Sequence, residues 1–421
     1  MELSAADRRA LEGADGAGAQ LAMQLIVRVA EATRAPRLID ITWAHVGSSY
    51  NNGQANIDFA ERLAGFGTQV AVPTTLTACS LNLQRLADSD PDDRSVSLRL
   101  IELYEQMGCR PTMTCAPYHV RAEPGLGEHV AWTESSAVVY ANSILGARTN
   151  AYVEFLDMCA AVTGRVPDTG LHRTENRSAT VVIELEHLPL RWLADDRFFH
   201  VLGFLIGRVV GDAIPAIVGL LPSVRTEQLR AIGSAGAASG SLKLFHAVGI
   251  TPEAATLEEA TQGLSPSSRI GVGPDDLRTA AEQVGAGGGE LGNVGAVCLG
   301  TPHFSLAEFE QLMPLLEGVR VREGVRFYIS TSDHVLREVE DRGWLDSLRA
   351  AGVTAVTGRC TYYAPLVSGC DGRVVTNSAK WAYYAAGGLG SRPRFASLED
   401  CVDAAATGRI ASDVEFWADE S

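Results

Sequence analysis

Short apolar, β-branched runs alternate with helical periodicity along most of the chain. Leu38 to Ile41, Gln69 to Val72, Val181 to Leu185, Val294 to Leu299, Val325 to Ile329 and Val353 to Thr357 read as strands. Asn56 to Phe66, Ser135 to Leu145, Leu306 to Leu316 and Asp341 to Ala351 repeat apolar residues at helical spacing. Strand and helix in turn predict an α/β fold with largely parallel sheets. The last third is clearest: strand, helix, strand, helix, strand form a βαβαβ unit, and Ser305 with Glu308 has the spacing of a capping box. Met1 to Glu31 reads as an amphipathic helix. The glycine-, serine- and proline-rich stretch 263–292 is expected to connect an N-terminal α/β region, 1–262, of two subdomains to a C-terminal α/β domain, 293–421.

Composition narrows the classes. Of 421 residues 46% are hydrophobic and 20% charged, enough apolar surface for several buried cores. Acidic residues outnumber basic ones, 51 against 35, and the net charge of −16 repels phosphate backbones and anionic lipid, so no nucleic-acid or membrane partner is expected. The longest apolar stretch, Val201 to Leu221, is broken by Arg208, Asp212 and Pro215, too short a run for a membrane span. No basic region leads into an apolar core at the N-terminus, which predicts a cytoplasmic protein. Eight widely spaced cysteines in such a chain predict thiols rather than a disulfide framework.

Several segments are more polar than packing requires. His45 to Asn52 contains Ser48, Ser49 and Tyr50 and follows the first strand. Val72-Pro73-Thr74-Thr75-Leu76 begins where the second ends. Loops after strand ends are where open α/β sheets collect ligand groups. Thr114-Cys115-Ala116-Pro117-Tyr118 precedes a helix flanked by Glu134 and Ser135 at one end and by Asn142, Arg148, Thr149 and Asn150 at the other; Glu175 and Asn176 lie in a further segment, Gly170 to Arg177. Ordinary turns and surface ion pairs are the competing reading of each. Cys115 and Cys360 sit in polar, proline-containing contexts, and Cys298 precedes Gly300-Thr301-Pro302-His303. Three thiolates on separate loops suit iron or an iron-sulfur cluster, while the absence of CxxC spacing leaves plain buried thiols open.

These motifs, together with Glu128 to Ser135, Gly170-Leu171-His172 and Asn377-Ser378-Ala379-Lys380, resemble the large subunit of aconitase X, with the run from Trp132 to Asn150 the most specific. The resemblance implies an aconitase-like multi-domain α/β architecture and a hydro-lyase, or dehydratase, that expels hydroxide from a small hydroxy acid. In this family the substrates are cis-3-hydroxy-L-proline, giving 1-pyrroline-2-carboxylate, and mevalonate 5-phosphate. Such chemistry needs a Lewis acid, a general base and a cationic clamp for a carboxylate. The resemblance puts Cys115, Cys298 and Cys360 at the metal, with Thr301 and His303 near it. It puts His45, Ser48, Ser49 and Lys380 among the catalytic candidates. Tyr50, Thr74, Thr75, Glu134, Ser135, Asn142, Arg148, Thr149, Asn150, Glu175 and Asn176 fall around the substrate. Two features depart from the pattern: Thr301 stands where many relatives carry a cysteine, and nothing matches the swivel domain, so a separate small swivel-domain subunit is expected as partner. A cluster-free scaffold subunit is the alternative of a different class.

Overall fold

A computed structural model of the chain describes all residues except 48–52, 154, 287–291, 363–365, 368, 371, 388–392, 411–413 and 419–421. Ser48, Ser49 and Tyr50 therefore lie outside the described residues. The chain divides into two compact units, Met1–Ser178 and Ala179–Ser421.

In the N-terminal unit the expected opening helix is two, Ala5–Leu11 and Ala17–Ala32. Ser4 caps the first, with Asp7 closing the box, and the Glu12 to Gly16 turn separates them. The second helix buries Met23 and Ile26 against Leu63, Leu100, Leu103 and Met158, one apolar cluster that supports the sheet. That sheet is parallel, in the order Thr74–Leu76, Ala44–Val46, Ala131–Trp132. Gln69 to Val72, expected as a strand, is not one. Its amides go to different neighbours, Val70 to the Met107 carbonyl (2.9 Å) and Ala71 to that of Ala161 (2.8 Å), so no ladder forms before Pro73. The strand lies in the following segment, whose sequence reads as a loop. Leu38–Asp40 instead pairs antiparallel with Arg165–Pro167. The helix from Ser135 is α-helical only to Val139, and Tyr140–Leu145 widens into a π-helical turn.

The C-terminal unit contains two parallel sheets. One has the order His246–Ala247, Pro215–Val218, Val181–Leu185, Ser268–Val272; the other has Val353–Thr357, Arg326–Thr331, Val294–Leu299, Arg373–Thr376, Arg394–Phe395. The second confirms the βαβαβ unit, and the Ser305–Glu308 capping box is formed. The expected connection 263–292 is corrected in part: it holds the strand Ser268–Val272 and the helix Pro274–Val284. Its glycines and prolines mark the turns around them, while Leu277, Ala280, Ala281 and Val284 supply a buried face. The helix expected over Asp341 to Ala351 begins at Trp344, because Gly343 before it adopts a left-handed conformation, φ 72°; a further helix, Asp333–Asp341, not expected from the sequence, precedes it. The apolar run from Val201 belongs to the helix Asp196–Val210, which crosses Thr226–Ser239 almost backbone to backbone. A Cβ on Gly203 would stand 2.4 Å from the Ile232 carbonyl oxygen, and one on Gly207 2.4 Å from that of Gly236. Among the described residues no helix is long and apolar enough to cross a membrane.

Candidate active site

Parallel strands deliver their following loops to one sheet edge, and in both units the candidate residues collect at such carboxyl ends. In the N-terminal unit His45 lies on the central strand, paired in register with Thr75 on one side and Trp132 on the other. Its ring is fully buried. The Thr75 hydroxyl sits 2.9 Å from His45 Nδ1 and accepts a hydrogen bond from Trp43 Nε1 at 3.0 Å. Burial drives the His45 pKa down to about 3, against weaker opposing contributions from the Thr114 and Thr75 backbones. The imidazole is therefore neutral at physiological pH, a hydrogen-bonding group rather than a strong base. Thr74 turns its hydroxyl to the Val72 carbonyl, 2.9 Å. Gly47, at the strand's exit, donates its amide to Asp157 Oδ2 at 2.7 Å, and Thr133 donates its hydroxyl to the same oxygen at 3.0 Å. Asp157 is fully buried and anchors that exit; it was not foreseen in the sequence.

The polar segments 128–150 and 170–177 are knitted to one another. Asn142, on the π-helical turn, accepts from the Thr149 amide (3.0 Å) and donates to the Thr149 carbonyl (2.9 Å). Arg177, 1% exposed, donates to Asn142 Oδ1 (3.0 Å), to the Asn142 carbonyl (2.9 Å) and to the Leu171 carbonyl (3.0 Å). Arg148 spends its two terminal nitrogens on the His172 carbonyl (2.9 Å) and the Thr174 hydroxyl (2.8 Å). Thr149 donates its hydroxyl to the Asn150 carbonyl (2.8 Å), Asn150 bridges Thr169 and Leu171, and Asn176 donates to the Gly170 carbonyl (3.0 Å). Holding loops together is thus the observed work of Asn142, Arg148, Thr149 and Asn150. At the centre of this network His172 Nδ1 meets His129 Nδ1 at 2.9 Å and the Tyr152 hydroxyl meets His172 Nε2 at 2.5 Å. Burial first, then His129 and the two arginines, lower the His172 pKa to about 3. Glu175 is exposed and paired with Arg173, while Glu134 and Ser135 occupy the start of the helix at 135. Cys115 is buried in the loop where the Ala116 amide donates to the Thr114 hydroxyl, 3.1 Å.

In the C-terminal unit three strands of the five-stranded sheet carry the candidates. Val294–Leu299 leads into Gly300 to His303, Val353–Thr357 into Cys360, and Arg373–Thr376 into Ser378 and Lys380. Gly300 is required at its turn: φ is 89°, and a Cβ would lie 2.1 Å from the Ser330 carbonyl oxygen. The loop is then pinned by the Phe304 amide donating to Ser330 (2.8 Å), the Thr331 hydroxyl donating to Phe304 (2.8 Å) and the Ser378 hydroxyl donating to the Thr301 carbonyl. His303 and Cys360 are both buried, and their donor atoms lie within 4.8 Å of one another. An imidazole and a thiol at that separation, shielded from water, suit a transition metal such as iron. The Thr301 hydroxyl is buried without a hydrogen-bond partner among the described residues. Cys298, expected at the metal, faces an apolar cluster with Ala296, Val374 and Trp381, and burial pushes its thiol up to about 12, a protonated core residue. Lys380 is buried on the helix Ala379–Ala385, its ammonium 5.8 Å from the Tyr384 ring centroid. His303 was placed by the sequence only in the neighbourhood of the metal; its position directly after a strand-end Gly-Thr-Pro turn was the available signal.

An α/β protein that gathers histidine, cysteine and threonine at the carboxyl ends of parallel strands has the build of a loop-borne catalyst, and sequence similarity says which kind. The chain matches the aconitase X first domain over residues 1–175, the second over 179–282 and the third over 294–407. It belongs to the aconitase X family. The cis-3-hydroxy-L-proline dehydratase of Pseudomonas aeruginosa is 40% identical over 423 residues, covering 99% of this chain and 72% of that one. The dehydratase of the same name from Hypocrea jecorina is 39% identical, covering 97% and 69%. The phosphomevalonate dehydratase large subunit of Thermococcus kodakarensis is 33% identical, covering 91% and 95%. The crystal structure of Thermococcus kodakaraensis aconitase X in its holo-form superposes with a TM-score of 0.85 at 30% identity, covering 96% of this chain and all of that one.

Proposed function

We propose that the chain is the large subunit of a cytoplasmic dehydratase that converts cis-3-hydroxy-L-proline to 1-pyrroline-2-carboxylate. The observation that carries this choice is the 40% identity to a dehydratase of that substrate across 99% of the chain, above the 33% shared with a phosphomevalonate dehydratase large subunit. The reaction removes the proton from the carbon bearing the carboxylate and the hydroxyl from its neighbour, which leave as water, and the resulting enamine, with its C2=C3 bond, tautomerises by proton transfer from nitrogen to C3 into the 1-pyrroline. Iron, alone or in an iron-sulfur cluster, would be held in the C-terminal unit by His303 and Cys360 and would supply a Lewis acid for the departing hydroxyl. The side chains around Glu134, Arg148, Glu175 and Asn176 orient the substrate, with Arg148 exchanging its present partners for the carboxylate. His45, neutral and buried, orients rather than deprotonates. The base comes from a separate small swivel-domain subunit.

Coexpression with a neighbouring small-subunit gene, followed by a water-elimination assay on cis-3-hydroxy-L-proline, tests the proposal. Pyrroline formation by the pair and not by the single chain is expected. Turnover of mevalonate 5-phosphate in its place overturns the substrate, and full activity of the isolated chain overturns the partner. Absence of iron after anaerobic purification would favour a scaffold subunit.

A further inference from the structure

The Gly300 to Ser305 loop carries His303, and one charged side chain from outside the five-stranded sheet reaches it. Arg230, on the helix Thr226–Ser239, is 5% exposed. One of its terminal nitrogens points at the His303 carbonyl oxygen, 3.4 Å away, and the other is ion-paired with Glu308. Glu308 in turn accepts the Ser305 amide at 2.7 Å, in the capping box that opens the helix Leu306–Leu315. The residue bearing the imidazole is thus tied at its own carbonyl and, two residues on, at an amide, through an ion pair between a buried arginine and a part-buried glutamate. Removing the Glu308 charge would leave the buried Arg230 guanidinium without its counter-charge, which makes the pair a stiff link rather than a surface ornament. The same pair faces a small chamber of about 20 Å³ with Thr301, Pro302 and Ser378, which adjoins a larger cleft of about 430 Å³ in this unit.

We propose that Arg230 is a positioning residue for His303: through the carbonyl of that residue and through Glu308 it fixes the loop so that the imidazole is aimed beside Cys360. This inference rests on the iron reading above and extends it to a residue that touches neither substrate nor metal. Groups that orient a ligand from behind commonly contribute about 10–100-fold to metal affinity.

The test uses the full-length chain and cobalt(II) alone as probe, read by its thiolate charge-transfer and d–d absorption. Arg230→Met is expected to weaken cobalt(II) binding by about 10–100-fold and to shift the absorption bands. Glu308→Gln keeps an acceptor for the Ser305 amide and should weaken binding less, and Arg230→Lys should recover part of the loss. A merely structural role would lower the melting temperature of the metal-free variants and leave affinity and spectrum as in the parent, and that result overturns the proposal. Should Arg230→Met fail to fold, parental affinity and spectrum in both Glu308→Gln and Arg230→Lys overturn it equally. If the parent chain takes up no cobalt(II), the metal reading itself falls and the proposal with it. Normal cobalt binding by a chain that turns over no cis-3-hydroxy-L-proline even with its small subunit present would instead strike only the substrate assignment.

Discussion

The fully buried His45 ring gives the N-terminal unit an acid sensitivity that can be worked out. In the unfolded chain a histidine has its ordinary pKa of 6.5, whereas in the folded unit burial holds it at about 3. The unfolded state therefore binds the extra proton across that window. Stability is fully present above the ordinary value and is lost as the pH falls from it towards the folded value. Lowering the pH from about 7.5 to about 5 should cost about 2 kcal/mol through this one group. That is a sizeable part of the 5–15 kcal/mol or so that holds a typical domain together. His45→Asn retains an oxygen that can accept from Thr75 but cannot take a proton in this range. Urea unfolding followed by tryptophan fluorescence, with Trp43 and Trp132 beside the ring, measures both proteins at the two pH values. The variant is expected to be less stable at neutral pH, yet to lose about 2 kcal/mol less on acidification. Equal losses in the two proteins, at equal denaturant slopes, would refute the assignment of a neutral, desolvated imidazole.

Cys298→Ala is expected to leave iron content intact and to cost about 1–2 kcal/mol of stability through lost packing, whereas Cys360→Ser should abolish or sharply reduce iron; metal analysis beside a melting curve separates them. Arg148→Lys should lower the melting temperature, because one ammonium cannot serve both the His172 carbonyl and the Thr174 hydroxyl, and should lower kcat/KM as well; an unchanged kcat/KM would remove Arg148 from the substrate site. Gly207→Leu should destabilise the C-terminal unit by several kcal/mol, since even a Cβ there lies 2.4 Å from a carbonyl oxygen, and denaturant unfolding reads it directly.

Strands buried on both faces announced themselves in the sequence. Val181–Leu185, Val294–Leu299 and Val353–Thr357 stand where their apolar runs put them, because a continuous β-branched run bounded by turns has few other homes. Gln69 to Val72 had the same composition over four residues, but a ladder depends on which neighbours arrive, and Met107 and Ala161 are remote in sequence. The polar segments were visible as unusual, yet their partners were not. Whether Asn142 and Arg177 face a ligand or each other is decided by a π-helical turn and a loop that no local pattern encodes. The family resemblance named the thiols, and their surroundings then separated Cys360, beside His303, from Cys298, which lies in an apolar cluster. Arg230 carried no motif at all: one arginine on a helix is ordinary until the loop it touches is known.

The order of strands in the five-stranded sheet also bears on how the chain is made. Val294–Leu299 lies at its centre, but one flank needs Arg373–Thr376, and that strand in turn needs Arg394–Phe395. On a ribosome adding about 5–20 residues per second, the central strand waits roughly 5–20 s after its own synthesis for that side to close. Met1–Ser178, whose sheets pair only within themselves, is complete long before. A nascent chain thus carries a finished first unit and an open, apolar parallel strand at the same time. Slower synthesis at low temperature, or a holding chaperone on the emerging second unit, should raise the yield of native protein in a foreign host.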